Sequence, residues 1–236
     1  MSSQPKPSLV FCHGILADGS CFNKVMPAFQ AEGYEVISAQ YPLDSNVEDV
    51  AATRYYLNQV SSPAILIGHS YGGAVITGAD TDDRVAGLVY IAAIAPDPDD
   101  GETSQSLQDK FPKTALFNNI KVADGRVWMT HEGTPDFCGD LSEEEQQVVW
   151  ATAAPPSTEL FASNAPGAAW KTKPSWYIVA NHDMAVNPEL ERFCAKRMNA
   201  TTYDIDSSHV PMLSHPDFVI DVIRDAANAV QGATTA

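Results

Sequence analysis

The chain is poor in positive charge, with 14 Lys+Arg against 30 Asp+Glu and a formal net charge of −16. A surface that acidic repels phosphate backbones and anionic lipids, which argues against nucleic-acid binding and against a peripheral membrane role. No run approaches the roughly 20 consecutive apolar residues that a membrane-spanning helix needs. The N-terminus, Met1-Ser-Ser-Gln-Pro-Lys-Pro7, lacks the charged-then-apolar pattern of a secretory signal, so the expected location is cytoplasmic. Cysteine is scarce. Cys12, Cys21, Cys138 and Cys194 make no CxxC or Cys/His ligand spacing, which points to free, mostly buried thiols and gives no sign of a metal site. Internal repeats and low-complexity tracts are also missing.

What is present is 236 residues at 44% apolar, enough for one large domain with a substantial core. Short β-rich apolar runs alternate with helical patterns. Strands are expected over 8–12, 34–39, 64–67, 85–91, 176–180 and 201–205, and helices over about 20–31, 47–60, 71–79, 188–198 and 216–230. Nearly continuous apolar strands alternating with helices imply a mainly parallel sheet covered on both faces, an α/β fold of about six strands.

The alternation breaks between Pro96 and Trp170. A Pro/Asp cluster opens this stretch, Asp124-Gly125 suggests a hairpin turn, and Ser142 followed by three glutamates suggests a helix over 142–152. An insert of that length between strands is expected to form a cap over a pocket, set on a core of 8–95 and 171–232. Of its apolar residues Phe111, Leu116, Phe117, Trp128, Met129, Phe137, Trp150 and Phe161, most are read as the cap's own core and some as pocket lining.

Gly68-His-Ser-Tyr-Gly72 is a G-x-S-x-G set between an expected strand and an expected helix. So sharp a turn forces a strained serine backbone, needs small flanking residues, and lifts the Ser70 hydroxyl above the carboxyl edge of the sheet. A serine needs a base. Among six histidines, His209 follows the last strand and comes to the same edge, whereas His13 and His69 sit at strand ends where packing roles are expected. Asp183, after the preceding strand, would orient the imidazole, with Asp97 or Asp99 as the rival acid. The order Ser70, Asp183, His209 is that of the α/β-hydrolases. Cys12-His-Gly-Ile15 follows the first strand, and Gly14 there allows close approach of a substrate.

Together these segments resemble the α/β-hydrolase superfamily, and more narrowly the small carboxylesterases and plant-type methyl esterases that group with hydroxynitrile lyases. Matching stretches include Phe11–Ser20, Gly68–Gly73, Val89–Ala93, Pro188–Phe193 and Ser207–Pro216. The resemblance implies cofactor-free hydrolysis of a small ester through an acyl-enzyme on Ser70, with the backbone N–H groups of Ile15 and Tyr71 as oxyanion hole. Gly14, Trp128 and Met212 are expected to contact substrate. Two other readings accompany it. One is a cyanohydrin lyase, in whose plant members a threonine commonly stands at the position of Gly14 and a cap lysine (Lys110, Lys113 or Lys121 here) would hold cyanide. The other is a slow-turnover small-ligand receptor.

Overall fold

The computed structural model describes residues 6–61, 63–79 and 82–233. Its elements run β1 (Ser8–Cys12), α1 (Met26–Ala31), β2 (Val36–Ala39), α2 (Asn46–Leu57), β3 (Ala64–His69), α3 (Gly72–Thr77) and β4 (Val85–Ile91). An insert follows, with α4 (Ser104–Gln108), the hairpin β5 (Ile120–Ala123) and β6 (Arg126–Met129), α5 (Thr134–Cys138) and α6 (Glu143–Ala151). The chain then returns through β7 (Ser175–Ala180), α7 (Pro188–Arg197), β8 (Thr201–Ile205), α8 (Pro211–Ser214) and α9 (Pro216–Ala233).

The six core strands form one parallel sheet in the order β2-β1-β3-β4-β7-β8. Strand residues alternate between two apolar layers: Leu66 joins the cluster with Val50, Val75 and Leu190 of α2, α3 and α7, while Ile65 and Ile67 join Phe29, Val219 and Ile223 of α1 and α9. Order reverses between β1 and β3, and open α/β sheets bind ligands at the carboxyl ends of the strands flanking such a switch point. The loops after β1 and β3 are therefore the place to look.

The expected helix over 20–31 is instead a 3₁₀ turn, Gly19–Phe22, and the short α1. Proline lacks an N–H and sits comfortably only in a helix's first turn, so Pro27 restarts the helix rather than continuing it. β3 reaches His69, two residues beyond the sequence pattern, because the strand runs on until the serine turn. In the insert, Asp124 and Gly125 both have positive φ (52° and 72°), the geometry of a two-residue hairpin turn. Ser142 caps α6 in a reciprocal box with Glu145. The four cysteines are free, and three of them are buried. No helix among the described residues is long and apolar enough to cross a membrane.

Candidate functional site

Ser70 occupies the left-handed region, with φ 55°. Such a conformation costs a non-glycine residue on the order of 1–3 kcal/mol and persists only where its surroundings hold it. Here three backbone hydrogen bonds do so: Ser70 N–H donates to Ile91 O (3.1 Å), and Gly73 and Ile94 N–H donate to Ser70 O (3.0 and 3.2 Å). A Cβ at Gly72 would lie 2.1 Å from Cys12 O, so the motif's last glycine is what lets α3 start against β1. A Cβ at Gly14 would come within 2.7 Å of Ser70 Cβ, so the loop after β1 lies directly on the serine.

Asp183 and His209 are brought together. In the loop after β7, Asp183 Oδ1 accepts Ala185 N–H (2.6 Å) and Val186 N–H (2.9 Å), which leaves Oδ2 to accept from His209 Nδ1 at 2.5 Å. Both side chains are buried. With Nδ1 donating to the carboxylate, Nε2 is the free acceptor of the ring. His209 shares a cavity of about 160 Å³ with Ser70. Among the described residues the Ser70 hydroxyl has no hydrogen-bond partner, so the serine and the imidazole meet as walls of that cavity. Free-state catalytic contacts are often long and tighten when substrate arrives.

Ile15 and Tyr71 line the same cavity, and neither backbone N–H donates to a protein acceptor among the described residues. The Tyr71 side chain is anchored away from the site, its hydroxyl donating to Asp49 (2.9 Å) and accepting from Asn46 (3.3 Å). The rest of the lining is almost wholly apolar. Gln105 and Gln108 are its polar members besides the serine, the histidine and Tyr71, and no charged side chain among the described residues takes part.

Several expectations need correction. Trp128 does not line the cavity: β6 alternates, so Val127 faces the cavity while Trp128 is 40% exposed on the other face. Met212 is fully buried in the core and lines no part of this cavity either. Gly14 acts by its closeness to Ser70 and is not among the lining residues. Asp97 and Asp99, the rival acids, both bind Lys171 instead (2.8 and 2.6 Å). Leu116, Phe117, Phe137 and Phe161 line the cavity, a larger share of the insert's apolar residues than the sequence suggested.

Three residues around His209 went unnoticed in the sequence or were underrated there. His69, buried, donates Nε2–H to His209 O at 2.7 Å; burial, with His209 nearby, drives its pKa well down and keeps it neutral. Asp140, between α5 and α6, accepts Ser208 N–H (2.8 Å) and the Ser207 hydroxyl (3.0 Å). Glu191 of α7 is fully buried beside Asp183 and accepts Ala180 N–H at 2.9 Å. Burial first, and then the Asp183 charge, push its pKa well above the usual carboxylate range.

Comparison with known proteins agrees with this architecture. Residues 9–222 match the model of the alpha/beta hydrolase family, and the chain belongs to that family. It is 27% identical to a pyrethroid hydrolase of Sphingobium wenxiniae over 94% of this chain and 88% of that one. Among solved structures, a pyrethroid hydrolase from Sphingobium faniae JZ-2 superposes with a TM-score of 0.79 at 25% identity, covering 94% of this chain and 98% of its own. Polyneuridine aldehyde esterase gives the same TM-score at 16% identity over 94% and 99%, a likeness of fold.

Proposed function

We propose that this protein hydrolyses small, uncharged carboxylic esters through an acyl-enzyme on Ser70. The observation that carries the reading is the hydrogen bond from His209 Nδ1 to the buried Asp183 carboxylate, with the same imidazole and Ser70 facing one apolar cavity. His209 Nε2 takes the Ser70 proton as Oγ attacks the ester carbonyl. The oxyanion is held by Ile15 and Tyr71 N–H, each such donor being typically worth about 10²–10³ in turnover. The tetrahedral intermediate collapses with loss of the alkoxy oxygen, which receives the proton from His209. A water, deprotonated by His209, then cleaves the Ser70 ester and frees the acid. Asp183 fixes the ring tautomer and balances the imidazolium.

Two features weigh against cyanohydrin cleavage. A threonine at position 14 would collide with Ser70, and Lys110, Lys113 and Lys121 are absent from the cavity lining. Lys110 is paired with Glu102 instead. The test is a panel of p-nitrophenyl esters, methyl esters and mandelonitrile on wild type and on Ser70→Ala. Multiple turnovers on esters, lost in a folded Ser70→Ala protein, are expected. Cyanide release without ester hydrolysis would overturn the reading, and so would a single slow turnover with product retained.

A further inference from the structure

His13, in the loop after β1, takes no part in the proposed reaction, yet its side chain is buried one residue before Gly14. Its Nδ1 lies 2.8 Å from Gly14 O. A carbonyl oxygen only accepts, so Nδ1 carries a proton and donates it. Burial, the largest influence, lowers the His13 pKa and favours the neutral ring, with that one proton. The residue is itself clamped. Its ring stacks on Tyr41 with centroids 4.3 Å apart and planes at 17°, and the Tyr41 hydroxyl donates to His13 O.

Gly14 O and Ile15 N–H belong to one peptide unit. No peptide bond among the described residues is cis, and in a trans unit the C=O and the N–H point in opposite directions. Holding Gly14 O against the imidazole therefore turns Ile15 N–H the other way. That N–H donates to no protein acceptor among the described residues, and Ile15 lines the cavity that holds Ser70. The unit needs such a hold. A Cβ at position 14 would lie 2.7 Å from Ser70 Cβ, which calls for glycine, and glycine leaves the peptide that follows it free to rotate. A half-turn would swing Gly14 O to the side that Ile15 N–H occupies, presenting a carbonyl oxygen where a donor is needed. The next peptide unit is tied separately, Leu16 N–H donating to Ala154 O at 2.9 Å.

From this geometry we infer that His13 is a positioning residue: its Nδ1–H locks the Gly14–Ile15 peptide with the Ile15 N–H directed at the oxyanion that forms when Ser70 attacks an ester. This inference rests on the ester-hydrolase reading of Ser70. His13 does not line the cavity and touches no reacting atom, so it acts through the Ile15 N–H. A fixed donor stabilises the developing oxyanion far more than it does the neutral carbonyl of the bound ester. Loss of the lock therefore lowers kcat and leaves KM nearly as it was.

The experiment is steady-state kinetics on p-nitrophenyl acetate with wild type, His13→Phe and His13→Asn, each preparation checked by a thermal melt. Phenylalanine keeps a ring against Tyr41 but has no N–H, whereas asparagine offers an amide N–H in place of Nδ1–H. Expected in His13→Phe is a kcat about 10²-fold lower, the low end for a lost oxyanion donor, with KM changed by less than about threefold. His13→Asn is expected to recover about tenfold of that loss. A folded His13→Phe with the kcat of wild type, a loss confined to KM, or an asparagine variant no better than the phenylalanine one overturns the assignment. Where His13→Phe does not fold, wild type still decides. Nuclear magnetic resonance of isotope-labelled protein, with the His13 ring identified by its contacts to Tyr41, is expected to find the proton on Nδ1 at neutral pH. A proton on Nε2 alone overturns the lock. Failure of wild type on every ester would instead overturn the ester-hydrolase reading itself, and would leave the His13 tautomer as it is.

Discussion

Asp140 of the insert holds Ser208, the residue before His209, through both its carboxylate oxygens: one accepts the Ser208 backbone N–H at 2.8 Å and the other the Ser208 hydroxyl. Ser207 donates to the same carboxylate at 3.0 Å and contacts Ser214 at 2.9 Å. The insert thus does more than roof the cavity. It fixes the loop that delivers the imidazole, a loop already tied from below by His69.

Asp140→Ala should therefore lower kcat more than it raises KM, by about 10²-fold, the usual consequence of a misplacement near 1 Å. Asp140→Asn, which keeps an acceptor for the Ser208 N–H, should recover part of the loss. Burial alone would raise the Asp140 pKa, but the hydrogen bonds from Ser208, Ser214 and Ser207 carry it below the ordinary value. A lowered folded-state pKa stabilises the fold at pH above the unfolded value, and that stability is lost as pH falls through the folded value. Urea unfolding should show wild type more stable than Asp140→Asn at neutral pH, with the gap closing in acid. An equal kcat in Asp140→Ala would remove the insert from the catalytic geometry.

The serine turn, the order of the three candidate residues and all six core strands were legible because each is a local pattern: an apolar run, a glycine-flanked serine, a charged residue just past a strand. Asp140 was not legible, since its partners lie 67 and 68 residues away and an aspartate after a short helix looks like any solvated one. Trp128 was misread for a related reason. Alternation says that Val127 and Trp128 face opposite ways, but which way is inward depends on how the hairpin docks. Glu191 sits in a run of charged residues on α7, and nothing local distinguishes it from Glu189, which is exposed and pairs with Arg192.

Gly14→Thr tests the closeness of the loop after β1 to Ser70, the proposed nucleophile. With a Cβ 2.7 Å from that of Ser70, either the serine or the Ile15 N–H must shift. Ester turnover is expected to fall by about 10²–10³, the cost of one displaced oxyanion donor. Mandelonitrile cleavage measured alongside should stay at background. A variant that keeps wild-type kcat would mean that the loop yields freely and that the hole lies elsewhere.

Asp183→Asn should leave the fold in place and reduce kcat by about 10⁴, because an amide can reverse the hydrogen bond and hold the wrong imidazole tautomer. KM should change little, since Asp183 does not line the cavity at Ser70. The check is steady-state kinetics on p-nitrophenyl acetate with a thermal melt of the same preparation. A loss confined to KM would assign Asp183 to binding.

Glu191→Gln reads the second carboxyl, buried behind the proposed triad. Asp183, Tyr177 and Cys194 face this residue, and burial raises the pKa of both Tyr177 and Cys194, the latter to about 11, so these two stay neutral through the working range. Glu191 Oε2 accepts Ala180 N–H, and burial, the Asp183 charge and a side-chain hydrogen bond with Asp183 all favour the protonated form in the folded protein. In the unfolded chain a glutamate titrates near about 4.3. Above that pH the folded state binds a proton that the unfolded state does not, so stability falls as pH rises toward the folded-state pKa. Glutamine copies the protonated shape and has no proton to lose. The variant should match wild type in acid and become progressively more stable than it in urea unfolding as pH rises above the unfolded-state value, by the linkage relation. A stability difference that is constant with pH, or that favours wild type as pH rises, would mean that Glu191 is ionised beside Asp183.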